Sequence, residues 1–457
     1  MHLAEGFPPV SEEEWAGRAE AGLKGRPLAS LGSRTLDGIE VRPVYPRAKA
    51  STVIDLSGRP AALTQRIDFA DPAAANAQAL EDLENGASGL ALVLERTPSA
   101  DDLRRRLDGV ELDLISVRLD PGEGARDTAG LLLDLYASRG LDLGRCDLTL
   151  GLHPLSAMAA RGHLVEEAKV RDAMAGMARR VSDAGFAGTA FHADTRAWHA
   201  AGATEAQELA LALADAVAMI RWMDAAGIGL EAAAGLTGFL VTADADQFTT
   251  IAKLRALRLL WARVQQAMGV EAKPAVVHVE TAWRMLSRRD PHVNLLRTAT
   301  AAFSAIVGGA DSVTVLPYTA ASGEADGFSR RMARNILMLL TEESGVGRVA
   351  DPAAGSGYVE ALTLALAGKA WSAFQEIERE GGLYAALQSG AVQQRLAEAA
   401  ARRRAAVATR KIPITGVSEF PNLNEPPLPS PSGEKESVES LPRHRLSEPF
   451  ERLRDAA

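Results

Sequence analysis

The sequence predicts an α/β protein, a (β/α)8 TIM barrel with an N-terminal arm and a proline-rich C-terminal tail. Three observations lead there. From about residue 60, short Val/Ile/Leu-rich runs alternate with longer amphipathic stretches, the pattern of parallel βα units. The runs are apolar almost throughout, as strands covered on both faces are. Seven are visible and an eighth has a place, and eight such units close into a barrel. With 457 residues, 47% hydrophobic and only 5% aromatic, the core must be built chiefly from Ala, Leu and Val.

Residues 1–60 read as an arm, with Trp15 in an acidic, helical-looking segment followed by Gly32, Gly38, Pro43 and Pro46. The barrel is assigned to 61–410. Its strands are expected at 88–95, 113–119, 146–152, 189–195, 228–233, 275–280 and 312–317, with the eighth at 347–351. Asp71-Pro72 and Asp290-Pro291 each place a capping side chain before a proline at the first helical position, where its missing N–H costs nothing. Thr204 with Gln207 makes a capping box heading a helix to about Ala226, which Gly227 ends. Long helices follow at about 244–268, 291–307, 326–343, 356–380 and 384–409. From Lys411 to Ala457 prolines crowd in and apolar runs fade, so 411–457 reads as a linker or strap.

Composition excludes several classes. A net charge of -9, with both signs mixed along the chain, lacks the basic footprint of a nucleic-acid binder. The single cysteine, Cys146, excludes an internal disulfide framework, fits a reducing compartment and reads as packing. The N-terminus shows no basic stretch leading into an apolar core, so no secretory signal is read. No apolar run reaches 18 residues; Leu209–Ile220 is preceded by Glu208 and broken by Asp215. A cytoplasmic protein without membrane or nucleic-acid partners is expected.

Local motifs name no chemistry. Asp351-Pro352-Ala353-Ala354-Gly355-Ser356-Gly357 looks like the glycine-rich cofactor loop of adenine-type DNA methyltransferases. Such a loop should follow the first strand of a Rossmann-like sheet with more strands behind it, and here only helices and the tail follow. The plainer reading is a turn with Ser356 capping a helix. His153, His163, His192, His199, His278 and His292 form no H-E-x-x-H or Cys/His cluster, so no metal site is expected. There is no G-x-S-x-G elbow and no P-loop. The fold alone places a ligand at the C-terminal ends of the strands, near His153-Pro154, Arg196, Glu280-Thr281 and Tyr318-Thr319.

Several segments in one order are more specific. Ala201–Ala210 (Ala-Gly-Ala-Thr-Glu-Ala-Gln-Glu-Leu-Ala), Ile251–Ala262, 290–309, Phe328–Asn335, Glu342–Gly345 and Asp351–Glu360 resemble consecutive barrel segments of the methylmalonyl-CoA mutase family. The resemblance covers roughly residues 65–390 and accounts for the methyltransferase-like loop. It implies a barrel that binds an acyl-CoA with its pantetheine along the axis, while a separate cobalamin domain supplies the cofactor for a radical carbon-skeleton rearrangement.

The departures from the family point away from catalysis. The Tyr-His pair that stands before Ala-Gly-Ala-Thr in catalytic chains falls on Arg196 and Ala197. His199, two residues on, would share the side of Ala197 if the strand continued. The arginine- and tyrosine-rich segment that covers substrate in catalytic chains corresponds to about 58–69, which has no tyrosine. The strand that presents an arginine and serines to the CoA reads Val276-Val277-His278-Val279-Glu280, with few polar groups to orient an anion. No D-x-H-x-x-G cobalamin loop occurs, and the sequence stops at Phe450–Ala457, about where a degenerate cobalamin-like domain would begin, so truncation there is one expectation.

The resemblance therefore implies the non-catalytic small subunit of a heterodimeric methylmalonyl-CoA mutase. Adenosylcobalamin would be held by a large catalytic partner subunit, and this chain would have no catalytic, cofactor or metal residues of its own. Residues 1–50 and 411–457 are the candidate contacts to that partner. The alternative is a catalytic acyl-CoA mutase barrel served by a separate cobalamin-binding subunit, with Arg196, His199 and Glu280 as its working residues.

Overall fold

The computed structural model describes residues 10–54, 56, 58, 60–323, 325–425 and 441–456. The residues read for a secretory signal, 1–9, and the tail prolines Pro426, Pro427, Pro429 and Pro431 lie outside the described residues.

Eight parallel strands close into a barrel in chain order. They are β1 (Ala62–Ile67), β2 (Gly89–Leu94), β3 (Ser116–Pro121), β4 (Leu148–Leu152), β5 (Thr189–Asp194), β6 (Thr237–Ala243), β7 (Val277–Thr281) and β8 (Ser312–Thr314). Closure is made where β8 meets β1, Ser312 opposite Ala62 and Thr314 opposite Thr64.

Two strands stand elsewhere than expected. Residues 228–233 begin the short helix Leu230–Gly235, whose Glu231-Ala232-Ala233-Ala234 are good helix formers, and the strand is the next segment, Thr237–Ala243. Residues 347–351 are a 3-10 turn, Val346–Arg348, and its outlet. The eighth strand lies instead at the barrel's beginning, where Gln65 and Arg66 had hidden Ala62–Ile67. That strand occupies half of the segment aligned with the family's substrate cover. Cys146 is buried just ahead of β4.

Helix starts follow local chemistry where nothing competes. The Asp71 carboxylate accepts from the Ala74 amide at 2.8 Å, with Pro72 at the first helical position. Both halves of the Thr204/Gln207 box are made, at 3.3 and 3.0 Å, heading Glu205–Ala225, and Gly227 follows with φ +84°. Asp290 does not cap. The tail residue Glu425 draws its amide at 2.6 Å, its φ is +45°, and the helix begins later, as Val293–Val307. Ser356 precedes the helix Gly357–Arg379 without a side-chain cap, and the expected 384–409 helix is two, Leu383–Gln388 and Ala391–Ala408, split at Gly390 (φ +79°).

The core joins the outer face of the barrel to its helices, and Glu205–Ala225 is buried along most of its length between Glu167–Asp183, Gln247–Met268 and Gly357–Arg379. The arm carries the helix Glu12–Gly22 with its own capping box. The tail's described end lies on the segments after β5 and β7: the amides of His444 and Leu446 donate to the Ala200 and Arg284 carbonyls at 2.9 and 3.0 Å. Its helix, Glu448–Asp455, follows. Among the described residues no helix is long and apolar enough to cross a membrane.

Candidate functional site at the barrel mouth

Side chains of a strand alternate between its faces. One face therefore collects Thr64 and Arg66 on β1, Ser116, Arg118 and Asp120 on β3, His192 and Asp194 on β5, and His278 and Glu280 on β7. The interior of such a barrel is ordinarily filled by branched aliphatic side chains. Here a polar column replaces them.

In its lower part, Ser312 Oγ lies 2.6 Å from His278 Nδ1, and His278 Nε2 lies 3.3 Å from Thr149 Oγ1. Thr149 Oγ1 reaches Thr189 Oγ1 at 3.3 Å, and Thr189 reaches His192 Nε2 at 3.3 Å. The two imidazoles sit 5.1 Å apart. Burial pushes both histidines down, His278 to about 3, and the nearby Arg118 charge adds to the effect, so both are neutral at pH 7.

At the mouth the column ends in a lattice of opposite charges. Arg196 meets Asp120 through Nη1 and Nη2 at 2.6 and 2.8 Å, Asp194 through Nη2 at 2.7 Å, and Glu280 at 3.4 Å. Arg66 lies 3.3 Å from Glu280 and 3.0 Å from Asp68, which also accepts from Arg330 at 2.6 Å. Burial alone would raise the Asp120 carboxyl, but Arg196, Arg118 and Arg66 hold it well below the ordinary range. Burial likewise opposes the charged guanidinium of Arg196, and Asp120, Asp194 and Glu280 outweigh it. Above the lattice a cavity of about 1040 Å³ opens, bordered by Phe69, Arg96, His153, Ala197 and Trp283.

The structure thus brings Arg196 and Glu280 together and engages His199, at the border of the same cavity, in a separate network. Strand β5 ends at Asp194 and the chain turns into the helix Arg196–Ala200, so strand alternation does not carry His199 to the side of Ala197. His199 is 1% exposed, with Nδ1 3.0 Å from Glu208 and Nε2 3.3 Å from Asp244. Glu208 in turn accepts from Lys253 at 2.8 Å and Thr195 at 2.7 Å. This is a buried ionic network joining the barrel to its outer helices. Of the other residues expected at the mouth, His153 and Thr281 border the cavity, while Tyr318 is buried against His292 and Phe328.

Arg66, Arg118, Asp120 and Asp194 went unread in the sequence. The signal was present as a period of two within apolar runs: Arg-x-Asp at 66–68 and 118–120, His-x-Asp at 192–194 and His-x-Glu at 278–280. Each pair marks one face of a strand end that must point at other charges. What the site can do follows from its pairing. Arg196 spends its donors on the protein's own carboxylates, Asp120, Asp194 and Glu280, and His153 borders the same cavity with its Nδ1 on the Gly151 carbonyl at 2.8 Å.

Fold and site together define a (β/α)8 barrel whose mouth is occupied by its own ion pairs. A family model described as methylmalonyl-CoA mutase matches residues 96–457. The chain is 41% identical to the methylmalonyl-CoA mutase small subunit of Streptomyces virginiae, over 99% of this chain and 77% of that one. It is 44% identical to the probable small subunit of Mycobacterium tuberculosis, over 83% of this chain and 61% of that one. With the small subunit of Propionibacterium freudenreichii subsp. shermanii the identity is 35%, over 100% and 76%. The chain belongs to the methylmalonyl-CoA mutase family and is similar to its small subunits. It spans 61–77% of the length of these three relatives.

Proposed function

We propose that this chain is the non-catalytic small subunit of a heterodimeric, adenosylcobalamin-dependent methylmalonyl-CoA mutase. A large partner subunit holds the cofactor and interconverts methylmalonyl-CoA and succinyl-CoA in the cytoplasm. In this reading 1–60 is an arm, 61–410 the barrel and 411–457 a strap, and the arm and strap contact the partner. The observation that carries it is the Arg196 lattice. At the place where catalytic chains of the family are expected to present a Tyr-His pair, Arg196 is locked on Asp120, Asp194 and Glu280, and Ala197 offers no donor. At positions 196 and 197 an acyl-CoA carbonyl would find no uncommitted side-chain donor.

The cavity of about 1040 Å³ favours a second reading, in which an acyl-CoA occupies the mouth and the barrel is catalytic with a separate cobalamin-binding subunit. Reconstitution separates the two. The chain alone, the large subunit alone and their mixture are assayed with methylmalonyl-CoA and adenosylcobalamin after co-purification. The first reading predicts a one-to-one complex and no turnover by this chain with a stand-alone cobalamin protein. Turnover in that last mixture establishes the second.

A further inference from the structure

The glycine-rich loop that resembles a cofactor cradle holds something else. Gly357 lies against the Pro46 carbonyl oxygen so closely that a Cβ on it would collide with that atom and approach the Tyr45 side chain. The Ala48 amide donates to the Gly355 carbonyl at 3.4 Å, and the rings of Tyr45 and Tyr358 sit 5.2 Å apart. Four residues beyond Ala48, the Thr52 amide donates to Glu360 Oε2 at 3.1 Å. The other oxygen, Oε1, accepts from the Gly355 amide at 2.9 Å and from Arg255 Nη2 at 2.9 Å. Arg255 is fully buried and also pairs with Asp351, a non-glycine residue at φ +45°. Ile54 then enters the core and Leu56 touches Gly309, just ahead of β8.

We propose that the Asp351–Glu360 segment is a receptor for this chain's own arm: it clasps residues 45–54 along the outside of the barrel and opens as a unit without unfolding the barrel. Its occupant is set by shape and by backbone chemistry. Gly357 makes room for a carbonyl, Gly355 offers a carbonyl to an arm amide, and Glu360 accepts from another. Arm and receptor share no strand pairing with the closed sheet, so release leaves every barrel ladder intact. The inference is independent of the mutase reading, because its test needs no partner and no substrate.

Limited trypsin digestion of the full chain, read by mass spectrometry at Arg47 and Lys49, tests it. Both side chains are exposed, but cleavage requires the docked backbone to leave its groove. Gly357→Ala is expected to speed cleavage at these two sites by about tenfold or more, with the barrel's thermal unfolding little changed. Tyr45→Ala, which lies on the arm itself, is expected to do the same and decides the matter if Gly357→Ala fails to fold. Unchanged cleavage in Tyr45→Ala overturns the proposal. So does wild-type cleavage as fast as in an unstructured peptide of residues 42–54.

Discussion

Burying an imidazole in a barrel axis fixes its protonation state. His192 and His278 are hydrogen-bonded to Thr189, Thr149 and Ser312, and the folded chain holds both neutral, His278 with a pKa lowered to about 3. The unfolded chain takes up protons near pH 6.5, so below that value it binds more protons than the native chain. The stabilisation is whole above pH 6.5 and is lost as pH falls toward the folded values, by about 1.4 kcal/mol per pH unit for each histidine. Urea midpoints measured between pH 7 and 5 should fall accordingly. His278→Gln should roughly halve that slope, since only His192 remains to be protonated on unfolding. A slope unchanged in His278→Gln contradicts the neutral-column account. Arg196 is a different case. Removing it would take the ion-pair partner from buried Asp194 and leave Asp120 and Glu280 only the longer contacts to Arg66 and Arg118, at a cost of about 3 kcal/mol or more, so its substitution reports on stability before function. The residue scale also explains what the sequence hid. Arg118 and Asp120 were visible as letters, but only barrel closure sets them across from Arg196 and Arg66, from strands far apart in the chain.

At the scale of elements, legibility followed locality. Asp71 and Thr204 cap through neighbours three residues away, and both were readable. Asp290 failed as a cap because its backbone sits at φ +45°, outside the extended region a cap adopts, with its amide held by Glu425 from the tail. β1 was overlooked because Gln65 and Arg66 break the apolar run, and β6 because its neighbour Leu230–Gly235 has a more apolar look than its helix propensity allows. The tail's described end behaves as an element in its own right. Arg445 and Glu451 are both buried and 2.8 Å apart, the guanidinium groups of Arg443 and Arg445 lie 4.4 and 5.4 Å from the Trp283 ring centre, and Glu451 accepts from the Arg288 amide at 2.7 Å. Glu451→Gln leaves Arg445 only the longer contact to Glu448 at 3.7 Å, at a cost of about 3 kcal/mol. Exchange of the Leu446 amide, which bonds the Arg284 carbonyl, should then rise by about a hundredfold while β3 and β5 keep their protection. Equal exchange in variant and wild type would mean that this ion pair does not hold the tail.

At the scale of the whole molecule, the barrel closes with β8 on β1, the arm runs down its outside, and the tail's end lies beside its mouth. The fold class was legible because alternation of short and long segments survives two misplaced strands. The state of the mouth was not, because charge pairing between β1, β3, β5 and β7 exists only once the sheet has closed. The claim that matters most is that this mouth performs no chemistry in the assembled enzyme. Ala197 borders the cavity, is only half-buried, and takes no part in the Arg196 lattice or the His199 network, so a large side chain there fills the cavity and leaves the ion pairs in place. The decisive measurement is turnover of methylmalonyl-CoA by the complex of the large subunit with Ala197→Trp. The account predicts kcat and KM within about twofold of the wild-type complex; a loss of kcat/KM of about a hundredfold, close to 2.7 kcal/mol, in a complex that still assembles one-to-one would make this barrel a working active site.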